Sequence, residues 1–455
     1  MNRSEILDSD LLRKYDVPVP RYTSYPTVPY WSDPPTTAEW IAALDRALKR
    51  ESTTWSLYVH IPFCETLCTF CGCNTMITRS HDREHPYVQT LLKEFALYLD
   101  RLPLLTRKPL RQLHLGGGTP TFLSPAHLDL LVRSLLDRVN VDPGRFDGSV
   151  EVDPRRTTSE QIQVLYNLGF RRLSMGVQDF DPEVQRLVNR IQPFEQTREL
   201  TASARRMGYE SVNYDLIYGL PRQTLSSFEN SIARTVQLRP DRIALYSFAL
   251  VPWIKPQQRL FKDEDLPHGE EKRALYEMAY EKLTKAGYVE IGMDHFALST
   301  DALAQAQTHR RLHRNFMGYT EMRTDVLLGL GVSSISEAPD CFHQNEKVLP
   351  IYEKKVMQGD VPTLRGHKLT AVDRERREQI LQFMNQGEVD LRDQEQEKDV
   401  REFLADMISD GLVTVESRRL KLTARGRPFL RNACVALDKR LRDQKPGTKV
   451  FSQAL

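Results

Sequence analysis

The sequence has few cysteines, no long apolar run and almost no net charge, and each shortage argues against a class of protein. Six cysteines in 455 residues, four of them clustered, fit a reducing compartment better than a disulfide framework. No apolar run approaches the roughly 20 residues that a membrane-spanning helix needs. The formal net charge of +2 gives no overall basic field of the kind that nucleic-acid-binding proteins carry.

The N-terminus also lacks a targeting pattern. The segment from Met1 to Asp10 is polar and acidic, without the basic and apolar regions of a secretory signal. We therefore expect a cytoplasmic, monomeric protein that binds neither membrane nor nucleic acid. Its length allows two or three domains, and its 40% hydrophobic content is ordinary for a globular chain.

Four of the cysteines stand within ten residues, spaced C-x3-C-x2-C-x-C: Cys64, Cys68, Cys71 and Cys73. A structural zinc site would need a second, separated ligand pair, which the sequence lacks. A redox C-x-x-C made of Cys68 and Cys71 would leave Cys64 without a role. An iron–sulfur cluster fits better, because three thiolates leave one iron open to an exogenous chelating ligand such as a methionine-derived sulfonium. Cys341 and Cys434 stand alone in the sequence, and we expect both to be buried and to pack as small apolar side chains.

Short apolar runs alternate with helical patterns from residue 56 onward, which is typical of βαβ units with a parallel sheet. The predicted strands are Leu57–Phe63, Gln112–Leu115, Ser149–Val152, Arg172–Val177, Val212–Tyr218 and Ile243–Leu250. Helices are predicted over Tyr87–Leu102, His127–Val139, Ser159–Leu168, Gln196–Met207 and Leu225–Gln237. Six such units suit an incomplete (β/α)6 barrel as well as a doubly wound sheet.

The polar groups that end these strands favour the barrel. The cysteines follow the first strand, Gly116-Gly117-Gly118-Thr119 follows the second, and later strands end at Glu151, Gln178 and Asp215. All strand C-termini of a barrel lie on one face, which carries the active site. The sequence therefore predicts that these groups converge on the cysteines.

The flanking regions are less regular. Prolines between residues 18 and 31 exclude a regular helix there, and this N-terminal arm carries several aromatic residues and Arg21. It is either a surface strap or a segment that contacts a ligand. An amphipathic helix is predicted over Thr37–Arg50. Helices over 372–386 and 396–410 and a hairpin near 411–423 resemble a winged helix, whose basic residues are balanced by acidic ones elsewhere in the region.

The motifs together resemble one family. Cys64, Cys68 and Cys71, with Phe70 before the last, match the radical S-adenosylmethionine (SAM) motif. The segments 58–63, 21–27, 173–180 and 292–296, together with Cys73, resemble oxygen-independent coproporphyrinogen III oxidases, also called dehydrogenases, from about Arg21 to the C-terminus. The resemblance implies an α/β fold, with an incomplete (β/α)6 barrel over 51–290. Three further regions are expected: an N-terminal arm and helix over 1–50, a linker completing the active site over 291–360, and a mostly helical, winged-helix-like cap over 361–455.

The resemblance also implies residue roles. Three cysteines would ligate a [4Fe–4S] cluster, namely Cys64, Cys68 and Cys71, whereas Cys73 would not. A first SAM would contact Tyr58, Gly117, Glu151 and Ile335. A second SAM would contact Phe70, Gly118, Thr119, Gln178, Arg190, Asp215 and Ala249. Arg21 is our candidate for binding substrate carboxylates. Some family members carry glutamine where this chain has Met317, so no polar contact is expected there.

The implied reaction converts two propionate side chains of coproporphyrinogen III into vinyl groups, giving protoporphyrinogen IX for haem synthesis. Each conversion removes a hydrogen atom, CO2 and one electron, with an unidentified reductant and electron acceptor as partners. Two alternatives stay open: a haem chaperone and a radical SAM enzyme that acts on haem. The arm and Cys73 favour the oxidase over the chaperone.

Overall fold

The computed structural model describes residues 9–142, 144–444 and 450–454. The segment Met1 to Asp10, which we expect not to be a secretory signal, lies mostly outside these residues. Within the described ranges, no helix has both the length and the apolar character needed to cross a membrane.

A large mixed sheet forms the centre of the molecule. Its strands lie in the order β16-β15-β14-β13-β1-β4-β5-β6-β7-β8-β10-β9. In chain order, the strands are β1 Trp55–Ile61, β2 Phe63–Cys64, β3 Met76–Ile77, β4 Leu110–Gly117, β5 Asp147–Val152, β6 Phe170–Gln178, β7 Ser211–Tyr218, β8 Arg242–Ser247, β9 Tyr288–Ile291, β10 His295–Leu298, β11 His313–Asn315, β12 Gly318–Thr320, β13 Val326–Leu330, β14 Ile335–Ala338, β15 Cys341–Asn345, β16 Thr363–Lys368, β17 Glu388–Asp390, β18 Val413–Glu416 and β19 Arg419–Leu422.

Helices connect the parallel strands and cover the sheet. The α-helices are α1 Ser9–Tyr15, α2 Thr37–Leu48, α3 Glu84–Arg101, α4 Pro125–Leu136, α5 Ser159–Asn167, α6 Pro182–Leu187, α7 Phe194–Met207, α8 Leu225–Leu238, α9 Gly269–Lys285, α10 Ala302–Thr308, α11 Leu349–Met357, α12 Ala371–Gln386, α13 Gln394–Phe403, α14 Ala405–Ser409, α15 Leu430–Cys434 and α16 Lys439–Asp443. Capping boxes at Thr36, Thr158 and Thr370 satisfy the first N–H groups of α2, α5 and α12.

The six predicted strands are confirmed as β1 and β4 to β8, which pair in parallel with their neighbours. Their register places Tyr58 beside His114, and Gly176 beside Asp215. Because parallel strands share one direction, the C-terminal ends of all six lie along one edge of the sheet.

The sheet extends further than the sequence analysis predicted. Strands β13 to β16 continue it beyond β1, and β10 and β9 continue it beyond β8. These additions pair mainly in antiparallel fashion. They are four to six residues long, and apart from β13 they lack a sustained apolar run. Neither periodicity nor length marks them as strands. The result is an α/β fold with a sheet rich in parallel pairs.

The N-terminal arm packs on the C-terminal region. Tyr22 and Tyr25 are buried in a second apolar core together with α12, α13 and the β18–β19 hairpin. The hydroxyl of Tyr22 donates to Asp438, and Arg431 donates to the carbonyls of Val19 and Pro20. The arm is therefore a strap that joins the C-terminal region to the central sheet.

A buried carboxylate holds the turn between β13 and β14. Glu94 of α3 is fully buried and accepts hydrogen bonds from the Gly331 N–H at 2.8 Å and from the Tyr352 hydroxyl at 2.6 Å. Its other oxygen accepts from the Asn345 side-chain amide at 2.6 Å. This network fixes the chain just before Ile335, next to β1.

Replacing Glu94 with glutamine is expected to lower the free energy of unfolding by about 2–3 kcal/mol. The new amide N–H groups would face existing donors and leave buried groups unpaired. Denaturant unfolding measures the change. Asp100→Asn, on the exposed side of the same helix, is the matched control and should change stability by less than about 0.5 kcal/mol. Equal losses in the two variants would contradict the role assigned to Glu94.

Candidate active site at the cysteine loop

A cavity opens at the C-terminal ends of the parallel strands, against the cysteine loop (residues 64–74). The predicted site residues that line it are Cys64, Cys68, Phe70, Cys71, Gly117, Gly118, Thr119, Glu151, Gln178, Arg190 and Asp215. They come from the loop and from the ends of four successive strands. The predicted convergence of strand ends on the cysteines is confirmed.

The three cysteines of the radical SAM motif have different surroundings. The Cys64 sulfur lies 3.4 Å from the Thr119 hydroxyl, and burial raises the pKa of this thiol to about 11. The Cys71 sulfur interacts with the Cys73 thiol and accepts from the Cys73 N–H at 3.4 Å, and these hydrogen bonds lower its pKa to about 6. Arg155 and Arg190 approach the Cys68 sulfur at 3.6 and 3.5 Å. A hydroxyl, a backbone N–H or a guanidinium thus lies beside each of the three sulfurs.

This donor set fits an iron–sulfur cluster better than a single metal ion. Among the described residues, no three His, Cys, Asp or Glu side chains converge on one metal position. In a [4Fe–4S] cluster each cysteine binds a different iron, so the thiolates surround the cluster rather than meet at a point. Three cysteines on one cavity wall match that requirement.

Two glycines at the end of β4 bring the backbone close to the loop. Gly117 has φ +118°, and a Cβ there would lie 2.8 Å from the Ile61 carbonyl oxygen. A Cβ on Gly118 would lie 2.7 Å from the Pro62 carbonyl oxygen. Only glycine allows this approach, which leaves bare backbone facing the cavity.

Two carboxylates face the cavity from β5 and β7. Glu151 accepts from the Gly117 N–H at 3.2 Å and lies 3.2 Å from His114 Nε2. Burial would raise the pKa of Glu151, but His114 and this N–H hold it below its usual value. Burial and the charge of Glu151 raise the pKa of Asp215 to about 6, although Asn213 and Ser174 donate to it. Both groups are built to accept hydrogen bonds from a ligand.

A buried arginine carries the positive charge of the site. Arg190 donates to the Gly176 carbonyl at 2.6 Å and lies 3.3 Å from Asp153. Its Nε has no hydrogen-bond partner among the described residues, although Arg190 is only 7% exposed. An unpartnered buried N–H is costly, so a ligand oxygen at this position would satisfy it.

The remaining predicted residues lie elsewhere. Tyr58 and Ile335 do not line this cavity, although Tyr58 packs against His114 beside Glu151. Ala249 lines a separate cavity with Gly219 and Lys272. Arg21 lines a third cavity, where it donates to the Ser247 carbonyl and lies 3.9 Å from Asp294.

Sequence reasoning missed several residues of the site. His114 orients Glu151, and Arg155 pairs with Asp153 and reaches Cys68. The signal for Arg155 was present, because it follows the polar end of β5 by three residues. Nothing in the sequence pattern separates His114, inside a strand, from a core histidine.

A second cavity adjoins the first. It shares Glu151 and Asp215 with the cluster cavity and reaches His295, Asn315 and Met317. Asn315 ends β11, and Met317 lies in the turn that joins β11 to its partner β12. The two carboxylates therefore stand where the two cavities meet.

Comparison with known proteins places this site in a family. Residues 58–234 match the model of the radical SAM superfamily. Oxygen-independent coproporphyrinogen III oxidases from Escherichia coli and Pseudomonas aeruginosa are 41% and 39% identical to the chain. The first alignment covers 98% of both chains, and the second covers 95% of this chain and 96% of the relative.

The solved structures agree. The coproporphyrinogen III oxidase HemN from Escherichia coli, described as a radical SAM enzyme, superposes with a TM-score of 0.88 at 40% identity. That match covers 95% of this chain and 98% of the other. A [4Fe–4S] cluster and SAM are the cofactors that the superfamily implies. The chain belongs to the oxygen-independent coproporphyrinogen III oxidases of the radical SAM superfamily, as its three-cysteine loop, its strand-end cavity and its full-length similarity show.

Proposed function

We propose that this enzyme decarboxylates two propionate side chains of coproporphyrinogen III without oxygen and yields the two vinyl groups of protoporphyrinogen IX. The observation that carries the proposal is the convergence of three cysteines, paired glycines and buried charges at one cavity in a chain of this family. Per side chain, one hydrogen atom, CO2 and one electron leave, so the reaction needs a hydrogen acceptor and an electron acceptor.

Cys64, Cys68 and Cys71 would hold the [4Fe–4S] cluster, and Cys73 would stay unligated. When bound, the cluster and SAM supply the radical chemistry that removes the hydrogen atom. The chain's own task is to position the reactants and to exclude water and oxygen. The buried strands β1 and β4, which lie beside the cysteine loop, would help to exclude water and oxygen.

The cavity offers complementary partners for SAM. Glu151 suits ribose hydroxyls, Gly117 admits an amino group, and Tyr58 and Ile335 would flank the nucleoside of the first molecule. For a second SAM, the Arg190 guanidinium suits a carboxylate and Asp215 suits hydroxyl or amino donors. The other proposed contacts of that second molecule are Phe70, Gly118, Thr119, Gln178 and Ala249.

The substrate carries four propionates, so cationic anchors are required. Arg21 is 32% exposed in its side chain and sits where the N-terminal arm crosses the end of β8. We assign it to a substrate carboxylate, with the arm over the opening of an incomplete (β/α)6 barrel. The winged-helix-like C-terminal region then acts as a cap rather than as a nucleic-acid-binding unit.

Anaerobic turnover tests the function directly. Reconstituted enzyme with coproporphyrinogen III, SAM, a reductant and an electron acceptor should release protoporphyrinogen IX and about two CO2 per substrate molecule. Haem supplied in a parallel reaction should neither be consumed nor be retained. Consumption or tight retention of haem, without protoporphyrinogen, would overturn the proposal.

Cysteine substitutions should separate ligands from neighbours. Cys71→Ala is expected to lose most cluster iron, because one of the three thiolates disappears. Cys73→Ala should keep close to the wild-type content, since Cys73 is not a ligand. Iron and sulfide analysis after anaerobic reconstitution measures both variants. Equal iron loss in the two would show that Cys73 ligates the cluster.

Substitution of Arg21 should affect substrate use alone. Arg21→Ala is expected to raise KM for coproporphyrinogen III about tenfold, because a charge-assisted hydrogen bond to a carboxylate is lost. Iron content and SAM affinity should not change. Arg50→Ala, an exposed arginine after α2, is the matched control. Wild-type KM in Arg21→Ala would refute the assignment.

A further inference from the structure

Three cations without carboxylate partners lie beside the end of the cysteine loop: Lys255, Lys347 and Arg365. Among the described residues, none of the three pairs with an acidic side chain, and the acidic neighbour Glu346 pairs with Lys355 instead. Burial and the charges of Arg365 and Lys255 hold the pKa of Lys347 below its usual value. The charges of Arg365 and Lys255 thus both act on Lys347, and no acidic side chain of the described residues compensates them.

Hydrogen bonds tie two of the three residues to adjacent loop residues. Lys255 Nζ donates to the Cys73 carbonyl at 2.7 Å, and the Asn74 side-chain amide donates to the Lys347 carbonyl at 3.1 Å. Arg365 Nε donates to the Gln344 side chain at 2.7 Å. Hydrogen bonds thus hold the charged groups of Lys255 and Arg365, whereas Lys347 is held through its backbone carbonyl.

The trio comes from opposite ends of the sheet. Lys255 follows β8, whereas Lys347 follows β15 and Arg365 belongs to β16. The two sides of the sheet meet at the Cys73–Asn74 segment, since Lys255 contacts Cys73 and Lys347 contacts Asn74. The trio therefore marks the rim where the two walls of the site approach each other.

An anion at this rim would lie close to the cluster cavity but outside it. Cys71 and Cys73 line the cavity, and none of the three cations does. Arg365 also lies over the ring of Trp31 in the N-terminal arm, with 5.8 Å between its guanidinium carbon and the ring centroid. Trp31 is half-buried and stacks on the buried Phe342 ring at 5.4 Å, so the Trp31 ring is an apolar group beside the charges. Carboxylates on an apolar macrocycle match this combination.

We propose that Lys255, Lys347 and Arg365 bind the carboxylate of a propionate that does not react, and so orient the substrate while a reacting propionate enters the cavity. This inference rests on the proposed function, because it takes the substrate from there. A reacting propionate loses its carboxylate as CO2. A site that holds the substrate throughout the reaction must therefore bind a propionate that is not decarboxylated. The trio is a positioning and specificity site and takes no part in the bond-breaking steps.

Charge reversal of Lys347 tests the proposal, because its side chain is exposed and makes no hydrogen bond within the described residues. Lys347→Glu should raise KM for coproporphyrinogen III about tenfold and change kcat by less than about twofold. It should weaken anaerobic binding of coproporphyrin III by a similar factor. Lys347→Arg should restore both values, and Lys421→Glu, on the exposed face of β19, is the matched charge-reversal control.

The assays use a small chemical reductant, so that docking of a protein electron donor cannot contribute. Unchanged KM and unchanged coproporphyrin III affinity in Lys347→Glu would overturn the proposal. A defect seen only with a protein reductant would overturn it too, since the trio would then dock that protein. If wild-type enzyme forms no protoporphyrinogen, the proposed function fails, while the coproporphyrin III affinities still decide whether the trio binds this carboxylate ligand.

Discussion

The site depends on one constraint: the cysteine loop has little regular structure, so side chains from other elements must hold its backbone. Asn189 donates to the Leu67 carbonyl, and Gln258 donates to the Phe70 carbonyl. Gln257 donates to the Cys71 carbonyl, and Lys255 donates to the Cys73 carbonyl. The Asn74 carbonyl oxygen lies 2.9 Å from His60 Nε2. These partners come from three places, namely the segment after α6, residues 255–258 and β1, so the positions of the thiols depend on elements far apart in the sequence.

Charge at the cavity follows from the same architecture. Parallel strands bring Glu151 and Asp215 to one edge, and the loop after β5 adds Asp153 and Arg155. Arg190 reaches across to Cys68 and keeps one N–H unpartnered. Buried groups of both signs thus stand around one cavity, and their burial makes each interaction stronger than it would be in water.

Much of this could be predicted from the sequence, for physical reasons that also set the limits. Cysteine spacing identifies the cluster loop, and apolar runs that end in polar residues identify the six parallel strands. The antiparallel extensions of the sheet carry no such signal, because strands as short as β9 and β14 have no distinctive period. Long-range partners are also invisible locally: Glu94 and Gly331 are 237 residues apart, and Asn74 meets Lys347 across 273 residues.

The central claim is that three thiolates leave one iron open for SAM. Mössbauer spectroscopy of enzyme reconstituted with iron-57 tests it most directly, with spectra recorded before and after SAM is added. The structure predicts that one iron of the [4Fe–4S] cluster changes its signal and that the other three do not. Four irons unaffected by SAM would contradict the account, since every iron would then already hold a protein ligand.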